Sequence, residues 1–83
     1  MAETIGQKFQ TEKSLTVKMS NYNANGDPKF VGLAIPGTAT SASKWKLMKL
    51  TYDASLNLTD VQYADGNENF DNVWNIRGMY DYA

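Results

Sequence analysis

Apolar and polar residues alternate with period two through most of residues 44–66, Lys-Trp-Lys-Leu-Met-Lys-Leu-Thr-Tyr-Asp-Ala-Ser-Leu-Asn-Leu-Thr-Asp-Val-Gln-Tyr-Ala-Asp-Gly, as in two half-buried strands joined by a turn. With Tyr52 opposite Thr59, Leu50 falls across from Val61 and Met48 across from Tyr63 on one face. Thr51 then meets Asp60, and Lys49 meets Gln62, on a polar face. A slip of one residue would set Leu50 against Asp60, so the pattern specifies its own register. The loop is then Ala54–Asn57, with Asn57 expected to take the positive φ such a turn needs.

Two further segments alternate upstream. Leu15, Val17 and Met19 share one side of a strand whose other side carries Thr16 and Lys18. After Ser20–Pro28, a turn in which Asn25-Gly26 supplies positive φ, Lys29–Ile35 places Val31, Leu33 and Ile35 on one side and Gly32 and Ala34 on the other. Such small residues let another backbone approach closely. Pro36–Ser43 is an uncharged connector without bulky side chains. In the strand that follows, Trp45 and Leu47 lie on one face but Met48, Leu50 and Tyr52 on the other, which requires a bulge near Leu47-Met48 or a cover on both faces.

Beyond the hairpin, Ala64–Asn69 is a polar turn. Phe70, Val73, Trp74 and Arg77 recur at helical spacing and predict one or two turns of helix over Phe70–Ile76, capped by Asn69 and closed by a left-handed Gly78. Met79–Ala83 is expected as a last strand with Tyr80 and Tyr82 on one face. The expected fold is mainly β: about five antiparallel strands in a small sheet or sandwich, with one short C-terminal helix at residues 70–76. Residues 15–83 form a single small β domain in this reading. Residues 1–14 mix charges and amides and read as an N-terminal attachment arm, anchored by Ile5 and Phe9 on this domain or on another chain.

Composition narrows the chemistry. A chain of 83 residues makes one domain with a thin core, since it buries only about 60–65% of its unfolded surface. Without cysteine it has no disulfides and no thiolate metal sites. Without histidine it has no Ser-His-Asp or Cys-His nucleophile and no imidazole ligand. The net charge of −1 gives no overall electrostatic footprint for nucleic acid. Seven lysines against three acids give residues 1–49 a charge of +4, whereas Arg77 against six acids gives residues 50–83 a charge of −5. The longest nearly apolar run, Phe30–Ile35, is far too short to span a bilayer, so a soluble protein without membrane partners is expected.

At this point a resemblance enters. Val31-Gly32, Pro36-Gly-Thr-Ala-Thr-Ser-Ala-Ser-Lys-Trp45, Leu50-Thr-Tyr-Asp53, Tyr63-Ala-Asp-Gly-Asn67 and Phe70-Asp-Asn-Val-Trp74, with Arg77 and Tyr80, resemble a short module that recurs in tailed-bacteriophage genomes. The likeness covers roughly residues 31–83 and rests on the combination of motifs at these spacings. It implies a small virion or fibre-associated structural component, located in the virion, and carries no catalytic residues or cofactors with it. The hairpin loop departs from the pattern, which usually has glycine near Leu56, a residue that takes a left-handed conformation with difficulty.

Other chemistries fit less well. Asp65, Asn67 and Asn69 begin like a calcium loop, but Phe70 stands where glycine is needed and Ile76 where a bidentate acid is needed. Asn57-Leu-Thr59 matches a glycosylation sequon, a frequent chance pattern. Asp60 and Asp65 are the nearest carboxylate pair, yet residues five apart on a strand face opposite ways, so an enzyme is not expected. Trp45, Tyr80 and Tyr82 are candidate interface or binding aromatics. The reading that follows is a phage structural protein, in capsid decoration or a fibre or tail appendage, acting as a homo-oligomer with other virion proteins. Its competitor is a carbohydrate- or receptor-binding module of a fibre.

Overall fold

A computed structural model describes residues 15–83. The alternating segments form an antiparallel meander of β1 (Thr16–Ser20), β2 (Phe30–Ala34), β3 (Ser43–Tyr52) and β4 (Leu58–Tyr63), neighbours in that order. A fifth, two-residue strand, β5 (Asn72–Val73), pairs with the start of β3. The mainly β, five-stranded expectation holds. The strands lie in one sheet, and the helix is a short 3-10 element.

Hairpin register follows the side-chain pattern through Met48↔Tyr63, Lys49↔Gln62, Leu50↔Val61 and Thr51↔Asp60. At the last pair it shifts, so that Tyr52 faces Leu58 and Thr59 is the extra residue. The hydroxyl of Thr59 donates to the Thr51 carbonyl (3.2 Å), filling the gap in the ladder. The loop becomes Asp53–Asn57, organised by the Asp53 carboxylate, which accepts the backbone N–H groups of Ser55 and Asn57 (2.9 Å each). These bonds hold the Asp53 carboxyl below its ordinary range, the Asn57 amide foremost. Positive φ falls on Leu56 (65°) and not on Asn57.

The core lies on the face opposite to the one the bulkiest aliphatic side chains mark. Phe30, Ala34, Trp45, Leu47, Ala64 and Trp74 form it, with Tyr80 and Tyr82 packed against them. β3 needs no bulge near Leu47-Met48, because both its faces are apolar and the Trp45 face is covered by the chain's own C-terminal segment. Gly32 and Ala34 make room there for indole rings. A Cβ on Gly32 would stand 2.6 Å from Cε3 of Trp74, so the close approach that glycine permits is by a side chain and not by a backbone. The two indoles meet with ring centroids 5.9 Å apart and tilted by 41°.

The predicted helix at 70–76 is displaced. Asn72, polar in the helical reading, is 1% exposed, and its Nδ2 donates to the Trp45 carbonyl (3.0 Å). That bond, with the pairing of residues 72–73 to Ser43 and Trp45, holds them extended. Trp74–Met79 then makes the 3-10 helix, interrupted at Ile76 (φ −113°, ψ 29°) and containing Gly78, which is not the left-handed cap expected. The chain ends by bridging the outer edge of β4, where Ala64 pairs with Tyr82 and Tyr63 exchanges both backbone bonds with Ala83.

Candidate assembly face

From Asn72 to Ala83 the C-terminal segment is a strap over one face of the sheet. It is tied by Tyr80, whose hydroxyl accepts the Val73 N–H (2.7 Å), and by Tyr82, whose hydroxyl donates to the Arg77 carbonyl (2.6 Å). Arg77 stacks on Trp74, 4.5 Å from the ring centroid, and its Nε donates to Ser20 Oγ (2.6 Å) at the end of β1. Desolvation first, and Tyr80 beside it second, push the Tyr82 hydroxyl up to about 12.

The three aromatics singled out from sequence are therefore fold elements. Trp45 is 1% exposed and its Nε1 donates to the Ala39 carbonyl (3.0 Å), while Tyr80 and Tyr82 are half-buried with their hydroxyls engaged in the strap. The proposed anchors Ile5 and Phe9 lie outside the described residues.

The other face is different. Strand pairing sets Met19, Val31, Met48 and Tyr63 in one row across all four strands. A second row holds Val17, Leu33 and Lys46, and a third begins with Leu50 and Val61. No described residue forms a layer over these rows. Val17 is 51% exposed, Met19 49% and Val61 44%, and Leu58 and Ile35 stand as open. Half-exposed aliphatic side chains in this number leave on the order of 500 Å² of apolar surface, near the top of the range for the largest patch on a monomer.

The face is charged at its ends and apolar in its middle. At one end Lys44 lines a cleft of about 510 Å³ with Leu15, Ile35 and Phe70. Beside it Lys46 pairs with Glu68 (3.2 Å) and lies over the rings of Tyr63 and Phe70. At the other end a groove of about 420 Å³ runs between the β1–β2 and β3–β4 loops, with Asp27, Lys29, Tyr52, Asp53 and Leu56 in its wall. Tyr52 closes it by donating to the Pro28 carbonyl (2.7 Å); desolvation, then the Asp27 carboxylate, raise its pKa.

The alternation sets Val31, Leu33, Met48, Leu50 and Val61 on apolar faces and leaves open which face is covered. Gly32 and Ala34, read as room for a neighbouring backbone, are instead the floor beneath two indoles. A floor so small is useful only beneath large rings, and Trp45 and Trp74 were the pieces at hand. Comparison with known protein families, with curated proteins and with solved structures finds no match to this chain.

Proposed function

We propose that this chain is a structural subunit that acts by protein–protein assembly, as a component of a tailed-bacteriophage virion in capsid decoration or in a fibre or tail appendage. The observation that carries the assembly reading is the open four-stranded apolar face, whose row Met19, Val31, Met48 and Tyr63 has no second layer among the described residues. Covering apolar surface stabilises by about 25 cal/mol per Å², so a face of this size contributes on the order of 10 kcal/mol before the costs of association. The virion setting is supported by the motif combination across residues 31–83.

The carbohydrate-binding alternative has less support, because Trp45, Tyr80 and Tyr82 are engaged in the core and strap. The virion reading is tested by quantitative mass spectrometry of gradient-purified particles from a lysate of the phage that carries this gene. A fixed number of copies per major capsid protein is the expected result. Absence from particles that contain the other structural proteins would overturn it.

A further inference from the structure

We propose that Arg77, with the side-chain amides of Asn21 and Asn75, forms a binding site for a carboxylate on the strap side of the sheet, apart from the open face.

The site is built on a guanidinium that the fold holds in place. Arg77 is half-buried and stacks on Trp74, 4.5 Å from the ring centroid. Its Nε donates to Ser20 Oγ (2.6 Å), its Nη1 to the Trp74 carbonyl (3.2 Å) and its Nη2 to Asn21 Oδ1 (3.4 Å). Three of the five N–H groups of a guanidinium are used in this way, and one remains on each terminal nitrogen. A carboxylate takes up such a pair in bidentate fashion.

No described carboxylate answers this charge. The one ion pair among the described residues joins Lys46 to Glu68, and the acceptors that Arg77 meets are neutral oxygens. A partly desolvated cation among neutral groups gains more from a counter-ion than a fully solvated one does. Because stacking and hydrogen bonds already fix the guanidinium, little side-chain freedom is lost when the ion arrives.

The surroundings supply further donors. A cavity of about 250 Å³ opens beside Arg77, lined by Asn21, Phe30, Asn75 and Gly78. Asn21 spends its Oδ1 on Ser20 and Arg77, so the group it has left to offer is the Nδ2 donor. The side chain of Asn75 is exposed, and its backbone N–H is the part bound to Thr40. Lys29 does not line the cavity; its Nζ lies 5.4 Å from the centre of the Phe30 ring and adds attraction at longer range. One guanidinium and neutral amides balance a single negative charge, which fits a carboxylate and leaves a phosphate dianion partly uncompensated.

Nitrogen–proton correlation NMR of the full chain tests the site, with sodium acetate titrated against sodium chloride at equal ionic strength. Acetate is expected to shift the Arg77 Nε–H and the Asn21 and Asn75 side-chain amides, saturating in the millimolar range. Chloride should not. Asn75→Ala removes an exposed side chain, and Asn21→Gly suits the positive φ of 59° at that position, so both keep the fold. Each should weaken acetate binding by about tenfold, the effect of losing one hydrogen bond to a charged group.

Blocked carboxylates then identify the source. Tighter binding of N-acetylglycine than of acetate assigns the site to a partner's C-terminus, and tighter binding of N-acetylglutamate α-amide assigns it to an acidic side chain. No gain over acetate assigns it to a free small carboxylate. Shifts that follow ionic strength alone overturn the site, as do both variants binding acetate like wild type. Inorganic phosphate binding more tightly than acetate overturns the choice of carboxylate. Saturation seen only after Glu3→Gln and Glu12→Gln overturns an external ligand, since the chain's own acids would then be the occupants. Neither the open face nor particle incorporation enters these readouts, so the assembly reading stands or falls separately.

Discussion

Gly32 and Val31 are neighbours in sequence and sit on opposite sides of one sheet, in environments that differ in kind. Gly32 lies under Trp74 and Trp45 with no room for a methyl group. Val31 stands in a row of large apolar side chains that is partly open to water. By hydrophobicity the second face is the better core, yet the first is the one buried. Burial therefore depends on which face has a cover, and residues 72–83 supply one cover. Its indoles choose the face whose floor is small, because close packing needs complementary volumes and not matching hydrophobicity.

The sharpest way to break this contrast is to add carbon to one face and remove it from the other. Gly32→Ala drives a Cβ to 2.6 Å from the Trp74 ring, which is locked by Arg77 and by Trp45 and has little freedom to retreat. Overpacking of this kind costs about 1–3 kcal/mol, a fall of roughly 5–20 °C in Tm for a domain of this size. Val17→Thr on the open face keeps the β-branched shape and should change monomer stability by no more than about 0.5 kcal/mol. Thermal melts at a concentration where the chain is monomeric read both. Equal losses would show that the two faces are not distinct in the monomer.

How much of this was legible follows the same division. The hairpin register was readable because each face of Lys44–Gly66 is chemically uniform, and a slip would mix them. The strap was not, because Asn72 looks like a surface residue until its amide is seen to satisfy the Trp45 carbonyl. A helical spacing of Phe70, Val73, Trp74 and Arg77 is a local signal, whereas the pairing of β5 with β3 is formed by residues some thirty positions apart. The uncharged connector gains a physical meaning here. Ala39 accepts the Trp45 indole N–H and Thr40 accepts the Asn75 N–H, so the Pro-Gly-Thr-Ala-Thr stretch seats the strap. The open face could not be read, because alternation marks which side is apolar and not whether anything covers it.

Tyr82 tests the strap by its proton. Its hydroxyl donates to Arg77 and has its pKa raised from the ordinary value near 10 to about 12, so the neutral form is the one the fold stabilises. That contribution is fully present below pH 10 and is lost as pH rises through about 12. Tyr82→Phe keeps the ring against Phe30 and removes the hydrogen bond, which should cost about 1 kcal/mol at neutral pH. The gap between wild type and variant should then close over that alkaline range. A gap that stays constant with pH would mean that the hydroxyl does not secure the cover, and that ring packing alone separates the two faces.

Leu56 gives the smallest effect and the one of opposite sign. It holds φ at 65°, a conformation costing an L residue about 1–2 kcal/mol, and is 41% exposed in the wall of the groove between the β1–β2 and β3–β4 loops. Leu56→Gly relieves that strain, and the greater freedom of glycine in the unfolded chain returns about 0.5–1 kcal/mol of it. A net gain of about 0.5 kcal/mol is expected in the denaturant midpoint of the monomer. A leucine held in this strained conformation points to a use for its side chain. If that use is contact with a partner across the open face, the variant should be more stable alone and bind that partner more weakly than wild type. A gain in both would remove Leu56 from the face and leave the strain without a role.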